Sequence, residues 1–384
     1  MITRSFTEKE ILTADEANYY LNALAKEIFK GNPSLNSREI RILFSKSAAA
    51  NAYSMGEGTI LFNIGLFHRM ENEAQVAFAL CHELAHYLLD HGNSTIHKYV
   101  NTVYSDEFQK QLKNIQKSAY RQNQQLEQLA KCLLFRSRRH SREYEQAADS
   151  MALELMKNTP FDLNGVVSTL ALLDTAETDK FSAPLQLEKR FHFTSYPFKK
   201  SWLESESLFF TKSTEEANNE TDSLKTHPDC KSRIKAVQQK QQHYQKTTGK
   251  KFVVDKAKFD RLKNQFDYEI VEHCFQSNRV SKALYLGLQM LNKKPDDVFL
   301  HTMVGRCLNE IYTRQKAHEL GKIVDLPDNS YTKDYNNLLR LLQNIRLSEL
   351  AALSYYYLEA VQPQFSTNKD FVSAWVTSKN HFDK

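Results

Sequence analysis

One stretch limits what this chain can be: His82-Glu83-Leu84-Ala85-His86, inside a run from Glu71 to Leu89 that contains neither Gly nor Pro. Such a run, rich in Ala and Leu, predicts a helix. On a helix, residues four apart lie one turn above each other on the same face. His82 and His86 can then aim two imidazoles at one metal ion. Glu83, about 100° further round, can reach a water beside that ion. The spacing is that of a hydrolytic metal centre with two His ligands and a Glu as general base. A pair of surface histidines is the competing reading. Val76, Phe78, Leu80, Leu84 and Leu88 speak against it, because they make the helix apolar around the two rings.

Two His ligands require a third group. One known continuation would place Gly three residues after His86 and His three further on, but the chain has Leu89 and Gly92 there. His91 follows His86 too closely, at a helix end, to be the natural third ligand, so a carboxylate from elsewhere is expected. The stretch from Ser141 to Met156 reads as a second strong helix, in which Glu145 and Asp149 are four apart and share a face. Glu145 can be the third ligand. Asp149 can accept the N–H of a ligand histidine and fix its tautomer. Ala147 and Ala148 allow this helix to approach the first closely.

Upstream, a helix is expected to start with Asp15 as N-cap, run through Tyr19, Leu21, Leu24 and Ile28, and stop at Gly31-Asn32-Pro33. Glu39 to Ser45 alternates as a half-buried strand, and Thr59-Ile60-Leu61-Phe62-Asn63 is a second strand. A strand leading straight into the metal helix suggests a small sheet packed against it. In zincins, which the His82–His86 motif resembles, the exposed edge of such a sheet holds an extended peptide as a further strand, and that likeness implies Thr59, Ile60 and Leu61 there.

The balance of 51 basic and 46 acidic residues, net +5, gives no argument for a nucleic-acid partner. Ten Gly and eight Pro in 384 residues favour helix. No apolar run reaches the length of a transmembrane span. Met1 to Asn32 lacks a charged-then-apolar leader, so the expectation is a cytoplasmic protein or one whose leader lies upstream of this sequence. The five cysteines form no CxxC pair and imply no disulfide framework.

From about Gly249 the pattern changes to helices alone. Ala283, Ala317 and Ala351 are spaced by 34 residues, and Gly287 and Gly321 keep that period. Pro295 and Pro363 each fall twelve residues after their Ala. This spacing resembles tetratricopeptide repeats, whose stacked helix pairs make a concave surface for a peptide or partner protein. An irregular helical bundle is the alternative. The expected fold class is α+β and mostly helical, with a metallopeptidase domain carrying a small sheet over residues 1–248 and an all-α domain with TPR-like repeats over 249–384.

Four motifs occur in order: Asn51-Ala52-Tyr53, His82-Glu83-x-x-His86, Ser141-Arg142-x-x-Glu145-x-x-Ala148-Asp149 and His227-Pro228-x-x-x-x-Arg233. Together, over roughly Ala14 to Lys240, the chain resembles the M48 family of zinc metallopeptidases. The resemblance implies a gluzincin fold, one Zn2+ per chain held by His82, His86 and Glu145, and Glu83 as the catalytic acid and base. It implies a polypeptide substrate, with Asn51 and Ala52 beside it. His227 is then close to the metal, either stabilising an oxyanion or occupying the fourth zinc position and shutting the enzyme off. Arg233 either polarises the substrate carbonyl or pairs with a helix carboxylate. The lack of a membrane span favours the soluble branch of the family. The function expected is a zinc endopeptidase of protein substrates, with protein quality control as a setting. The rivals are a latent protease acting as a chaperone or adaptor, and a metal hydrolase for a non-peptide substrate.

Overall fold

Tyr20, Leu21, Leu24, Ala25 and Ile28 recur at helical spacing and are all buried, which makes Asp15–Gly31 an amphipathic helix, α1. Its N-cap is Ala14, in extended backbone and without a side-chain bond. Asp15, expected as the cap, is the first helical residue instead, where its charge still meets the positive end of the helix dipole. The computed structural model describes residues 10–55, 57–116, 142–174, 184–204, 230–244, 249–329 and 331–384.

Three strands follow: β1 (Arg41–Ser45), β2 (Ala52–Ser54) and β3 (Thr59–Asn63), in the order β1-β3-β2. β1 runs parallel to β3, with Arg41 opposite Thr59, and β2 runs antiparallel to it, with Tyr53 opposite Leu61. The tight turn from β2 to β3 needs Gly58, whose φ is +73° and where a Cβ would lie 2.0 Å from the Glu39 carbonyl oxygen.

This order corrects the expectation for Thr59, Ile60 and Leu61. β3 is the central strand, hydrogen-bonded on both sides, and every residue of it is buried. Alternate residues face opposite sides of a sheet, so full burial means both faces are covered. Its backbone has no edge to offer a peptide. A strand at the end of the sheet is β2.

α2 (Glu73–Leu88) carries the two histidines. Asn72 caps it by accepting from the Gln75 amide at 3.1 Å. Glu73, fully buried, accepts from the amides of Val253 (2.5 Å), Val254 (2.7 Å) and Asp255 (2.8 Å) and from the Tyr20 hydroxyl. Asp90 breaks the chain after α2. Its φ of +54° places it in the left-handed region, and α3 (His91–Val103) starts directly behind it, followed by α4 (Asp106–Gln116). Residues 142–157 form α5. α6 (Asn164–Asp174) lies against α2, with Gly165 so close that a Cβ would be 2.9 Å from the Ala74 carbonyl, and α7 (Cys230–Gln241) lies against α6.

The chain divides into two compact units, Met1–Glu177 with Ser213–Asn264, and Thr178–Lys212 with Gln265–Lys384. The division falls within α8 (Lys256–Gln276). Gly249, where the sequence changes character, belongs to the first unit, in which Lys250 forms a bridge to Phe161. In the second unit, α9 (Val280–Leu291), α10 (Val298–Lys316), α11 (Lys333–Asn344), α12 (Leu347–Phe365) and α13 (Lys369–Phe382) pack as helices alone. The 34-residue spacing does not mark one recurring place there. Ala283 is buried within α9 and Ala351 within α12, but Ala317 is the exposed C-cap of α10. Pro295 precedes α10, whereas Pro363 lies inside α12. The fold is thus α+β and mostly helical, and no helix among the described residues is long and apolar enough to cross a membrane.

Candidate metal centre

The helical spacing within α2 and within α5 sets the site. His82 Nε2 and His86 Nε2 are 3.1 Å apart. From α5, Glu145 Oε1 lies 3.3 Å from His86 Nε2 and Oε2 lies 3.5 Å from His82 Nε2. His82 and Glu145 are 4% and 6% exposed. Three donors around a tetrahedral Zn2+, with bonds of about 2.0–2.1 Å, would stand about 3.3–3.4 Å apart, so the observed triangle fits that ion. Two neutral imidazoles and one carboxylate are also a donor set that zinc accepts.

The surroundings favour positive charge at this point. His82 Nδ1 is 3.0 Å from Asp149 Oδ1. Burial works to lower the basicity of His82, but hydrogen bonds to Asp149 and Glu145 outweigh it and push its pKa up to about 10. A divalent ion would meet the same field and displace that proton. Burial also works to raise the Asp149 carboxyl, and the hydrogen bonds from Arg233 and His82 prevail and hold it below the usual range.

Arg233 is 2% exposed and closes the other side of the acids. Its Nε donates to Asp149 Oδ2 at 2.6 Å and its Nη2 to Asp149 Oδ1 at 2.7 Å, while Nη1 is 2.7 Å from Glu145 Oε2. The guanidinium is thus paired with two helix carboxylates. His227 lies outside the described residues.

Residues 18–241 match Peptidase family M48, more than half of the chain. This chain belongs to that family. Members are zinc-dependent metallopeptidases, so the M48 chain is a hydrolase acting on polypeptides. A comparison with curated proteins finds no match.

Glu83 of this M48 peptidase is 5% exposed, and its Oε2 accepts from the Ser54 amide at 3.0 Å. That bond follows from strand register. Asn63 N donates to Asn51 O and Met55 N to Thr59 O, so Asn51, Tyr53 and Met55 turn their backbone groups towards β3. Ala52 and Ser54 turn theirs away from it, to the side where Glu83 stands. Ala52 lines one cavity with Glu83, whereas Asn51 turns its carbonyl towards Asn63 of β3. That cavity, of about 10 Å3, is lined by Ala52, Phe78, His82, Glu83, Thr169 and Arg233 among others.

His91, too close behind His86 to be the natural third ligand, has a different place in the structure. Its Nδ1 is 3.0 Å from His86 Nδ1, and its ring stacks on Tyr144, the residue before Glu145, at 4.3 Å between centroids. Burial and the neighbouring His86 lower its pKa to about 4. The sequence signal was Asp90, a residue type that tolerates the left-handed turn needed to fold His91 back onto α2.

Proposed function

We propose that the chain is a zinc-dependent endopeptidase, with one Zn2+ held by His82 Nε2, His86 Nε2 and Glu145. The observation that carries this reading is the 3.1–3.5 Å triangle of those three donors, with Glu83 beside it and Asp149 behind it. When bound, the ion supplies Lewis acidity towards a carbonyl oxygen and acidifies water.

The protein's own groups do the rest. Glu83 takes a proton from the water that attacks the peptide carbon and delivers it to the leaving amine as the C–N bond breaks. The Ser54 amide holds that carboxylate in place. A substrate backbone would lie along β2, where Ala52 turns its N–H and C=O outward. Asp149 keeps the proton of His82 on Nδ1, which leaves Nε2 free to coordinate. Arg233 holds Asp149 and Glu145 at fixed positions, and His227 is read as a gate or an oxyanion partner at the same site. The helical second unit is read as the place of a protein partner, and protein quality control as the setting.

Replacing Glu83 by Gln keeps the shape and removes the base. Turnover of an unfolded protein such as casein is expected to fall by about 10²–10⁴-fold, with zinc content unchanged. A Glu83→Gln protein that digests casein at the wild-type rate would end this assignment. Zinc-loaded wild type that is inert towards unfolded chains would favour the adaptor.

A further inference from the structure

The two ligand imidazoles are held from behind in different ways. His82 has a carboxylate at its Nδ1, paired in turn to Arg233. His86 has a second imidazole: His91 Nδ1 at 3.0 Å. The Nε2 atom of His86 faces His82 Nε2 and Glu145 Oε1. If Nε2 is to offer its lone pair there, the ring proton must sit on Nδ1, and that N–H must have an acceptor.

Resting on the metal reading above, we infer that His91 is the positioning residue for His86: its Nδ1 accepts the His86 Nδ1–H and so fixes the tautomer and ring angle of that ligand. His91 then carries its own proton on Nε2. The fold makes an unusual provision for this contact. α2 ends at Leu88, and Asp90 takes a left-handed conformation with φ of +54°, which few residues other than Gly adopt. Asn93 Nδ2 donates to Asp90 Oδ1 at 2.7 Å and Ser94 N to Asp90 O at 3.0 Å, and both bonds hold the turn. The reversal brings His91, the first residue of α3, back against the last turn of α2. On its other side the His91 ring lies nearly parallel to Tyr144, at 17° between planes, so it cannot rotate freely. Tyr144 in turn has Lys98 Nζ 4.6 Å from its ring centroid. A single stacked contact therefore ties the support of His86 to the segment that supplies Glu145.

The test separates an acceptor from a packing ring. Zinc affinity is measured by competition with a chromogenic chelator for the full chain and for His91→Ala, His91→Phe and His91→Gln. Melting of the metal-stripped proteins reports folding. Phe keeps a ring against Tyr144 but has no acceptor, whereas Gln lacks the ring but can accept through its Oε1. The expected result is a loss of about 10–100-fold in affinity for Ala and Phe, the usual cost of removing an outer partner of a ligand, and recovery to within a few-fold of wild type in Gln. Wild-type affinity in Phe, or a Gln variant as weak as Ala, would overturn the role of His91 while leaving the metal centre standing. Failure of the wild-type protein itself to bind zinc is a separate result, and it would remove both.

Discussion

Arg233 is the point at which structure and catalysis can be told apart. Its guanidinium makes three contacts of 2.6–2.7 Å with Asp149 and Glu145, and it is 2% exposed. Replacing it with Met keeps the bulk and takes the guanidinium away from two buried acids. Removing one partner from a buried ion pair costs about 3–5 kcal/mol, most of it from the charge left behind. With a urea dependence of about 2–3 kcal/mol/M, the unfolding midpoint of the first unit should fall by about 1–2.5 M. The assay is urea unfolding followed by far-UV circular dichroism, with chelator present so that no divalent ion replaces the lost charge. Added zinc should narrow the gap, because the proposed metal site shares the same acids. Arg233→Lys should fall between the two proteins, since an ammonium supplies charge but not the fork that spans Asp149. If the Met variant unfolds within about 0.5 kcal/mol of wild type yet loses turnover, the clasp argument is wrong, and Arg233 acts on the substrate.

Other outcomes follow from the same geometry. Glu73→Gln should destabilise the first unit by about 2–4 kcal/mol in urea unfolding, since three backbone amides and the Tyr20 hydroxyl lose a charged acceptor. Gly58→Ala should cost about 1–3 kcal/mol in the same measurement, because its φ of +73° and the Glu39 oxygen leave no room for a methyl group. Chelation should lower the melting temperature, and zinc at a thousandfold excess over its dissociation constant should restore about 4 kcal/mol of stability by mass action. An unchanged melting curve with and without chelator would count against a metal site in the first unit.

The parts of the site that were legible in the sequence are those fixed by helix period. His82 with His86, and Glu145 with Asp149, are four apart, and each pair does share a face. Sheet order has no such signature. Thr59 to Asn63 is a short apolar run, and a run of that kind fits a centre strand as well as an edge, because burial on both faces erases alternation. The strand beside Glu83, Ala52–Ser54, is only three residues long, too short to show a period. The repeat spacing is limited for a related reason. Three alanines at equal intervals say nothing about whether each meets a neighbouring helix, and Ala317 meets solvent. The support that His91 gives is not legible in spacing, because it depends on the left-handed turn at Asp90.

The acids and the guanidinium join α2, α5 and α7 through Asp149 and Glu145. Three segments far apart in the chain are thereby locked together by protein groups alone. An ion arriving there enters a socket that is already built, unlike a small finger that must wrap around its metal in order to fold. Loading and stripping should then be reversible cycles on a standing scaffold.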